Sequence, residues 1–243
     1  MGTYSFRTDC GMVRPINEDN VSIVENKESG DILMMVLDGM GGHSKGEKAS
    51  SLALSIITER FIKMKKYRSI RKIKAYIIKA IKKANREINI LGTNNMEYHE
   101  MGTTLILVIL HGNKVLMCNV GDSRLYTTIG NNIYQLSEDQ TYVQFLYRVG
   151  KIKKEDMAIH PKRHVLMNAL GTYPSVSIVT KVFKKPMEKI LLCSDGLYNM
   201  LSDNDINIVL QMKLTTEEKV RILVRRANDN GGMDNIAIAL WEA

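Results

Sequence analysis

Thr103–Leu136 reads TTLILVILHGNKVLMCNVGDSRLYTTIGNNIYQL. Apolar runs of strand length (Thr103–Leu110, Lys114–Val120, Arg124–Thr128 and Asn132–Leu136) alternate with His111-Gly112-Asn113, Gly121-Asp122-Ser123 and Gly130-Asn131. Such short Gly- and Asn-bearing connections turn the chain straight back on itself, so the stretch predicts an antiparallel meander. On its N-terminal side lie strand candidates Tyr4–Thr8, Asn20–Glu25 and Asp31–Leu37, followed by two helical patterns. The first runs from Gly46 to Lys66, with Ala49, Leu52, Ala53, Ile56, Ile57 and Phe61 on one face. The second runs from Ile70 to Leu91, with Ile73, Ile77, Ile78, Ile81 and Ile88 spaced similarly and Gly92 placed to end it. On the C-terminal side come a mixed helical segment (Asp139–Met157), an irregular one (His160–Gly171), and strands Val176–Phe183 and Lys189–Ser194. Helices Asp195–Met200, Ser202–Leu210 and Thr215–Asp229 and a last strand, Asn235–Leu240, complete the chain. Strands in antiparallel clusters and helices in pairs argue for layered α+β rather than a strictly alternating parallel sheet.

The 243 residues, 44% of them apolar, carry no linker rich in Pro, Gly or Ser and no repeat, so one domain over 1–243 is expected. No apolar run approaches the ~20 residues that span a bilayer. The N-terminus also lacks the basic-then-apolar layout of a signal peptide, and a cytoplasmic location is expected. Cys10, Cys118 and Cys193 have neither zinc nor redox spacing and read as small buried hydrophobes. Charge is unevenly spread. Between Arg60 and Arg86 stand 12 Lys and Arg and no acid; without those twelve the formal charge of +8 becomes −4. A solvated helix face is the plain reading of that stretch. Attraction of nucleic acid or anionic lipid, or docking of an acidic partner, are the functional readings. With only Tyr67 and Tyr76 as aromatics inside it, specific nucleic-acid binding is not expected.

Acidic residues recur at strand ends. Asp38-Gly39 follows Leu33–Leu37, Asp195-Gly196 follows Ile190–Ser194, Asp122 ends Val115–Gly121, Asp234 opens the last strand, and Glu18-Asp19 opens the second. If these carboxylates converge, each pair ~4 Å apart repels by about 4 kcal/mol at an effective dielectric of 20. Cations must then neutralise the cluster. Oxygen ligands with sparse His and Cys favour Mg²⁺ or Mn²⁺ over zinc, and two such ions can lower the pKa of a shared water and clamp an in-line attack on phosphorus. A lone Asp-Gly is an ordinary turn, and spacing alone leaves the structural and functional readings equally open.

The ordered motifs separate those readings. Arg14-Pro15-Ile16-Asn17-Glu18-Asp19, Asp38-Gly39-Met40-Gly41-Gly42-His43, Met101-Gly102-Thr103-Thr104 and Asn119-Val120-Gly121-Asp122-Ser123-Arg124 appear in sequence. Leu136-Ser137-Glu138-Asp139, Val149-Gly150, His160-Pro161, Ser194-Asp195-Gly196-Leu197 and Asp234-Asn235 follow. Together they resemble the bacterial type 2C (PPM) protein serine/threonine phosphatases from near the start of the chain to near its end. The resemblance implies a four-layer α/β/β/α sandwich, two antiparallel sheets flanked by helix pairs, with metals in a cleft at one edge. It implies that Asp38, Asp195 and Asp234 bind one Mn²⁺ or Mg²⁺ and that Asp19, Asp38 and the Gly39 carbonyl hold a second. Asp122 with Asp195 takes a third, weaker ion, and Glu18 assists through waters. Arg14 would grip the substrate phosphate, which water attacks directly without a phosphoenzyme. Phosphoproteins, among them a serine/threonine kinase and its substrates, are the implied partners of a monomeric enzyme. Two departures from the family pattern stand out. Met40 occupies the place where some members carry a histidine, leaving His43 read as a loop residue and the general acid unassigned. Gln140 follows Asp139 where relatives often have histidine, a change expected to affect substrate recognition. His99, His111, His160 and His164 read as structural or surface residues. The other readings of the same residues are a non-catalytic regulatory module on this fold and a metal-dependent nuclease or phosphodiesterase.

Overall fold

The computed structural model describes residues 2–41, 45–67, 69–184 and 187–243. Its strands are β1 (Thr3–Asp9), β2 (Asn20–Glu25), β3 (Ile32–Leu37), β4 (Gly39–Met40), β5 (Gly102–Thr103), β6 (Leu105–His111), β7 (Lys114–Val120), β8 (Arg124–Ile129), β9 (Asn132–Gln135), β10 (Val179–Lys184), β11 (Lys189–Cys193) and β12 (Ile236–Glu242). Its α-helices are α1 (Lys45–Ile62), α2 (Ile70–Asn94), α3 (Tyr142–Arg148), α4 (Lys154–Met157), α5 (Asp195–Tyr198), α6 (Asp203–Gln211) and α7 (Thr216–Asp229). One five-stranded sheet has the order β1-β12-β11-β8-β9, the other β10-β7-β6-β3-β2, and every pairing in them is antiparallel. The expected meander therefore turns a corner: β6 and β7 belong to one sheet, β8 and β9 to the other.

The two-residue period of a strand explains the layers. Leu33, Met35, Leu37, Leu105, Leu107 and Ile109 point outward into a core shared with α1 and α2. Their neighbours Met34, Val36, Ile106 and Val108 point inward, against Leu125, Ile190, Leu192, Ala237, Ala239 and Trp241 of the facing sheet. On the far side Leu191, Cys193, Ile236, Ile238 and Leu240 meet α5, α6 and α7. The result is the α/β/β/α sandwich. Both faces of the central strands are covered, which is why they read as unbroken apolar runs rather than alternating ones.

Several boundaries move for local reasons. α1 stops at Ile62, not Lys66, because the Asn26 side-chain amide donates to the carbonyls of Phe61 (2.8 Å) and Met64 (2.9 Å), taking over acceptors that a further turn would use. α2 runs through Gly92 to Asn94; Gly92 sits under the Tyr98 carbonyl, where a Cβ would come within 3.0 Å. The segment after Asp139 divides into α3 and α4, the chain reversing at Gly150 with φ +72°. Strand β10 starts at Val179 rather than Val176. The short pair β4–β5, Gly39 with Thr103 and Met40 with Gly102, has too little apolar pattern to be read in advance. Among the described residues no helix is long and apolar enough to cross a membrane. Cys118 and Cys193 are buried, but Cys10 is half-exposed and its thiol donates to the Arg14 carbonyl (3.1 Å), so the reading of three buried hydrophobes holds for two of them.

Helix α7 shows how strongly local chemistry sets an end. Thr215 Oγ1 accepts from the Glu218 amide (3.2 Å), while the Glu218 carboxylate accepts from the Thr215 amide (2.9 Å) and hydroxyl (2.8 Å). Thr215→Ala removes this reciprocal cap and is expected to cost about 1 kcal/mol, lowering Tm by roughly 2–4 °C in a chain of this size. Catalytic turnover should not change; calorimetry and an activity assay on the same preparation check both parts.

Candidate metal centre and catalytic cleft

The acidic residues singled out in the sequence come from both sheets. Asp38 leaves β3, Asp195 opens α5 directly after β11, and Asp122 sits in the β7–β8 turn. Asp234 precedes β12, and Glu18 and Asp19 precede β2. These strand ends meet at one edge of the sandwich. Asp38 lies within electrostatic reach of Asp19, Asp195, Asp122 and Asp234 together. A cleft of about 920 Å³ opens over them, walled in part by Arg14, Asp122, Asp195 and Asp234.

Their protonation reflects where they lie. Burial, reinforced by the other carboxylates, holds both Asp19 and Asp38 well above the usual carboxylate range. Burial, then the charges of Asp195 and Asp139, pushes Asp122 up to about 7. Asp195 rises to about 6 through burial and the neighbouring Asp234. Asp19 is 4% exposed, and its Oδ2 atom has no hydrogen-bond partner. Oxygen donors of raised pKa around a buried, unsatisfied acceptor suit a hard divalent cation far better than a soft one. Among the described residues no three His, Cys, Asp or Glu side chains are already closed into one coordination shell. Asp234 is engaged instead with Arg14 (Nη2 to Oδ2, 2.8 Å).

The backbone around Asp38 is held firmly. Its amide donates to Thr104 Oγ1 (3.0 Å), its carbonyl accepts from the Thr104 amide (2.8 Å) and the Thr103 hydroxyl (3.0 Å), and Thr104 Oγ1 bonds Ser123 Oγ (2.7 Å). Gly39 is required here. A Cβ would collide with the carbonyls of Gly46 and Glu18, so only glycine lets the first turn of α1 close onto the Glu18–Asp19 segment. Glu18 is part of that closure, its carboxylate accepting from the Gly46 amide (2.9 Å) at the start of α1. Asn235 ties the opposite wall together. Its side-chain amide donates to the carbonyls of Cys10 and Ile16 (both 2.9 Å), and its Oδ1 accepts from the Glu18 amide (2.8 Å).

The contacts that brace the turn bearing Asp122 were not legible in the sequence. The Arg124 guanidinium donates to both Asp139 oxygens (2.7 and 3.1 Å), to the Tyr126 hydroxyl (2.9 Å), and lies 3.5 Å from the Tyr198 ring centroid. Tyr198 in turn donates to the Asp122 carbonyl (3.2 Å). Gln140 accepts from the Gly121 amide (3.0 Å) and donates to the Asn119 carbonyl (3.3 Å), bracing the turn that carries Asp122. His164, read as structural or surface, lines the cleft beside Arg163 and Lys154. No periodicity or spacing marks these residues, because they converge only through the loop Gln135–Thr141 and the segment after α4. His43 lies outside the described residues, as does Gly42.

Fold and cleft together define a carboxylate-rich metallohydrolase of the layered sandwich class. A family model described as protein phosphatase 2C matches residues 14–239. The chain is 38% identical over 238 residues to the serine/threonine phosphatase stp of Listeria monocytogenes, covering 98% of this chain and 94% of that one. It is 30% identical over 237 residues to the protein phosphatase PhpP of Streptococcus pneumoniae, covering 97% and 95%. The solved serine/threonine phosphatase of S. agalactiae superposes with a TM-score of 0.95 at 31% identity over the whole of both chains. The catalytic domain of the phosphatase PstP in complex with two manganese ions superposes with 0.84 at 29% identity, covering 99% of this chain and 97% of that one. The chain belongs to the protein phosphatase 2C family, as a metal-dependent protein serine/threonine phosphatase of the bacterial type.

Proposed function

We propose that residues 1–243 act as one phosphatase domain whose Asp38, Asp195 and Asp234 hold one Mn²⁺ or Mg²⁺, while Asp19, Asp38 and the Gly39 carbonyl hold a second. Asp122 with Asp195 takes a third, weaker ion, and Glu18, besides binding the start of α1, supports the set through water. The observation that carries this reading is the convergence of five aspartates from both sheets on one edge, with a buried Asp19 oxygen lacking any partner. When bound, the divalent ions supply positive charge against the phosphoryl oxygens and lower the pKa of the attacking water.

The chain's own groups do the rest. Arg14 stands at the mouth beside Asp234, half-exposed, and its planar fork takes two phosphate oxygens at once. The Thr103–Thr104 and Ser123 hydrogen bonds keep Asp38 from shifting as charge enters the cleft. The Arg124–Asp139 pair and Tyr198 fix the turn bearing Asp122. The substrates are phosphoserine and phosphothreonine side chains of proteins, with a serine/threonine kinase and its targets as partners of a cytoplasmic monomer.

Hydrolysis of p-nitrophenyl phosphate with Mn²⁺, with Mg²⁺ and with EDTA tests the assignment, alongside Mn²⁺ binding followed calorimetrically. Turnover should require metal. Folded protein that binds Mn²⁺ nowhere and hydrolyses nothing would overturn the reading in favour of a regulatory module. Arg14→Ala should reduce kcat/KM about 10–100-fold, the loss of one or two charge-assisted hydrogen bonds to phosphate. Intact kcat/KM would remove Arg14 from the phosphate site.

A further inference from the structure

We propose that the solvent face of α2 is a docking surface for an acidic segment of the phosphoprotein partner, a reading that rests on the phosphatase assignment. Arg71, Lys72, Lys79, Lys82, Lys83 and Arg86 are all exposed on this helix. Among the described residues none of the six forms an ion pair. From Arg71 to Arg86 the ridge is roughly 22 Å long at 1.5 Å per residue, the reach of an extended segment of about seven residues. These six side chains carry six of the positive charges of a chain whose formal net charge is +8. An acidic ligand is therefore drawn to this face.

The surface suits a polypeptide better than the other polyanions. Between Ile70 and Arg86 the only exposed apolar residue is Ala75, so nothing is presented for insertion between lipid chains. The two aromatics of the region are occupied. Tyr67 and Tyr76 pack on each other with centroids 6.2 Å apart, and the Tyr76 hydroxyl donates to the Arg60 carbonyl (2.9 Å), which leaves no platform for stacking bases.

Hydrogen bonds through the interior also tie α2 to the catalytic edge. Gly39 pairs with Thr103, and Thr103 exchanges backbone hydrogen bonds with Leu170 (2.8 and 3.1 Å). The next residue, Gly171, is clasped by α2: its amide donates to Asn85 Oδ1 (2.9 Å) and its carbonyl accepts from Asn89 (2.9 Å). Asn85 also holds the carbonyls of Tyr173 and Pro174 (3.0 and 3.2 Å). Two strand spacings, about 10 Å, thus separate the Gly39 backbone from the loop anchored beside Arg86. A phosphoprotein engaged in the cleft can lay its neighbouring acidic residues along α2.

The test uses the full chain with Mn²⁺ and two phosphothreonine peptides, one carrying a run of glutamates behind a flexible Gly-Ser spacer, the other glutamines in their place. The glutamate peptide should have a KM about tenfold lower, the yield of several exposed ion pairs at 0.2–1 kcal/mol each. The preference should vanish in about 1 M KCl, where the Debye length is ~3 Å, and in a K79Q/K82Q/K83Q/R86Q variant. That variant should hydrolyse p-nitrophenyl phosphate and the glutamine peptide normally, which shows that it is folded and its cleft intact. Equal KM values for the two peptides, or a preference that survives in the variant, would overturn the proposal. So would loss in the variant of retention on phosphatidylglycerol vesicles or duplex DNA without any glutamate preference, assigning the face to lipid or nucleic acid. Failure of the phosphatase assignment would show separately as no turnover of any substrate by the unaltered protein. Fluorescence anisotropy of the glutamate peptide then reads the docking directly.

Discussion

Asp38→Ala is expected to lower Mn²⁺-dependent hydrolysis of a phosphothreonine peptide by at least about a thousandfold. Asp38 is the carboxylate that all the others surround, within reach of Asp19, Asp122, Asp195 and Asp234. In the proposed assignment it alone serves both principal ions. Losing it costs the charge stabilisation of the transition state and the activation of water together; about 4 kcal/mol of lost stabilisation is already a thousandfold at 1.36 kcal/mol per decade. Asp38→Asn keeps the shape and the backbone bonds to Thr103 and Thr104 and should fail almost as badly, since a neutral amide is a poor ligand for a hard cation. Calorimetry should show Mn²⁺ binding weakened in both variants. A well-folded Asp38→Ala protein with unchanged turnover would end the site assignment. The same substitutions should raise the thermal stability of the metal-free protein, because they remove a buried charge repelled by its neighbours.

The second large effect concerns pH and metal. Asp122 and Asp195 titrate at about 7 and about 6 in the folded chain, and Asp19 and Asp38 are held higher than an unfolded aspartate by burial and mutual repulsion. The folded state therefore binds more protons than the unfolded one between about pH 4 and pH 7. Linkage gives the sign: stability is full below the unfolded pKa and is lost as pH rises through the folded ones. In EDTA, Tm should fall between pH 5 and pH 8 by on the order of 5–10 °C, a few kcal/mol at 2–4 °C each. Mn²⁺ at about a hundred times its Kd contributes ~2.7 kcal/mol at the upper end of that range and should recover most of the drop. Asp122→Asn should flatten the EDTA profile. A metal-free Tm that stays level or climbs from pH 5 to pH 8 would contradict the coupled, buried cluster.

Much of this molecule was readable in advance, and unevenly so. Strands such as β7 and β11 were placed to within a residue because both of their faces are buried and apolar and the turns carry their own Gly, Asn and Asp signals. Helix ends were less legible. Where α1 stops is settled by Asn26, nineteen positions before the helix begins, whose side chain caps carbonyls at Phe61 and Met64. The aspartates announced themselves by standing at strand ends in an ordered set of motifs. The bracing contacts did not: Arg124 and Asn235 stood in those motifs and Gln140 beside one, but they and Tyr198 act through contacts between separate segments of the chain.

The sequence by itself determined the element types, the layered α+β class, and which carboxylates were candidates, since these depend on local propensity, period and residue chemistry. Only the tertiary structure decided that the β7–β8 turn crosses from one sheet to the other and that the strand ends of both sheets converge on one cleft. It also decided that the exposed basic residues of α2 line one ridge, in no ion pair among the described residues, on the helix that holds the loop at Gly171 through Asn85. Convergence of this kind is set by packing of the two inner sheet faces and by long-range hydrogen bonds, neither of which has a period along the chain.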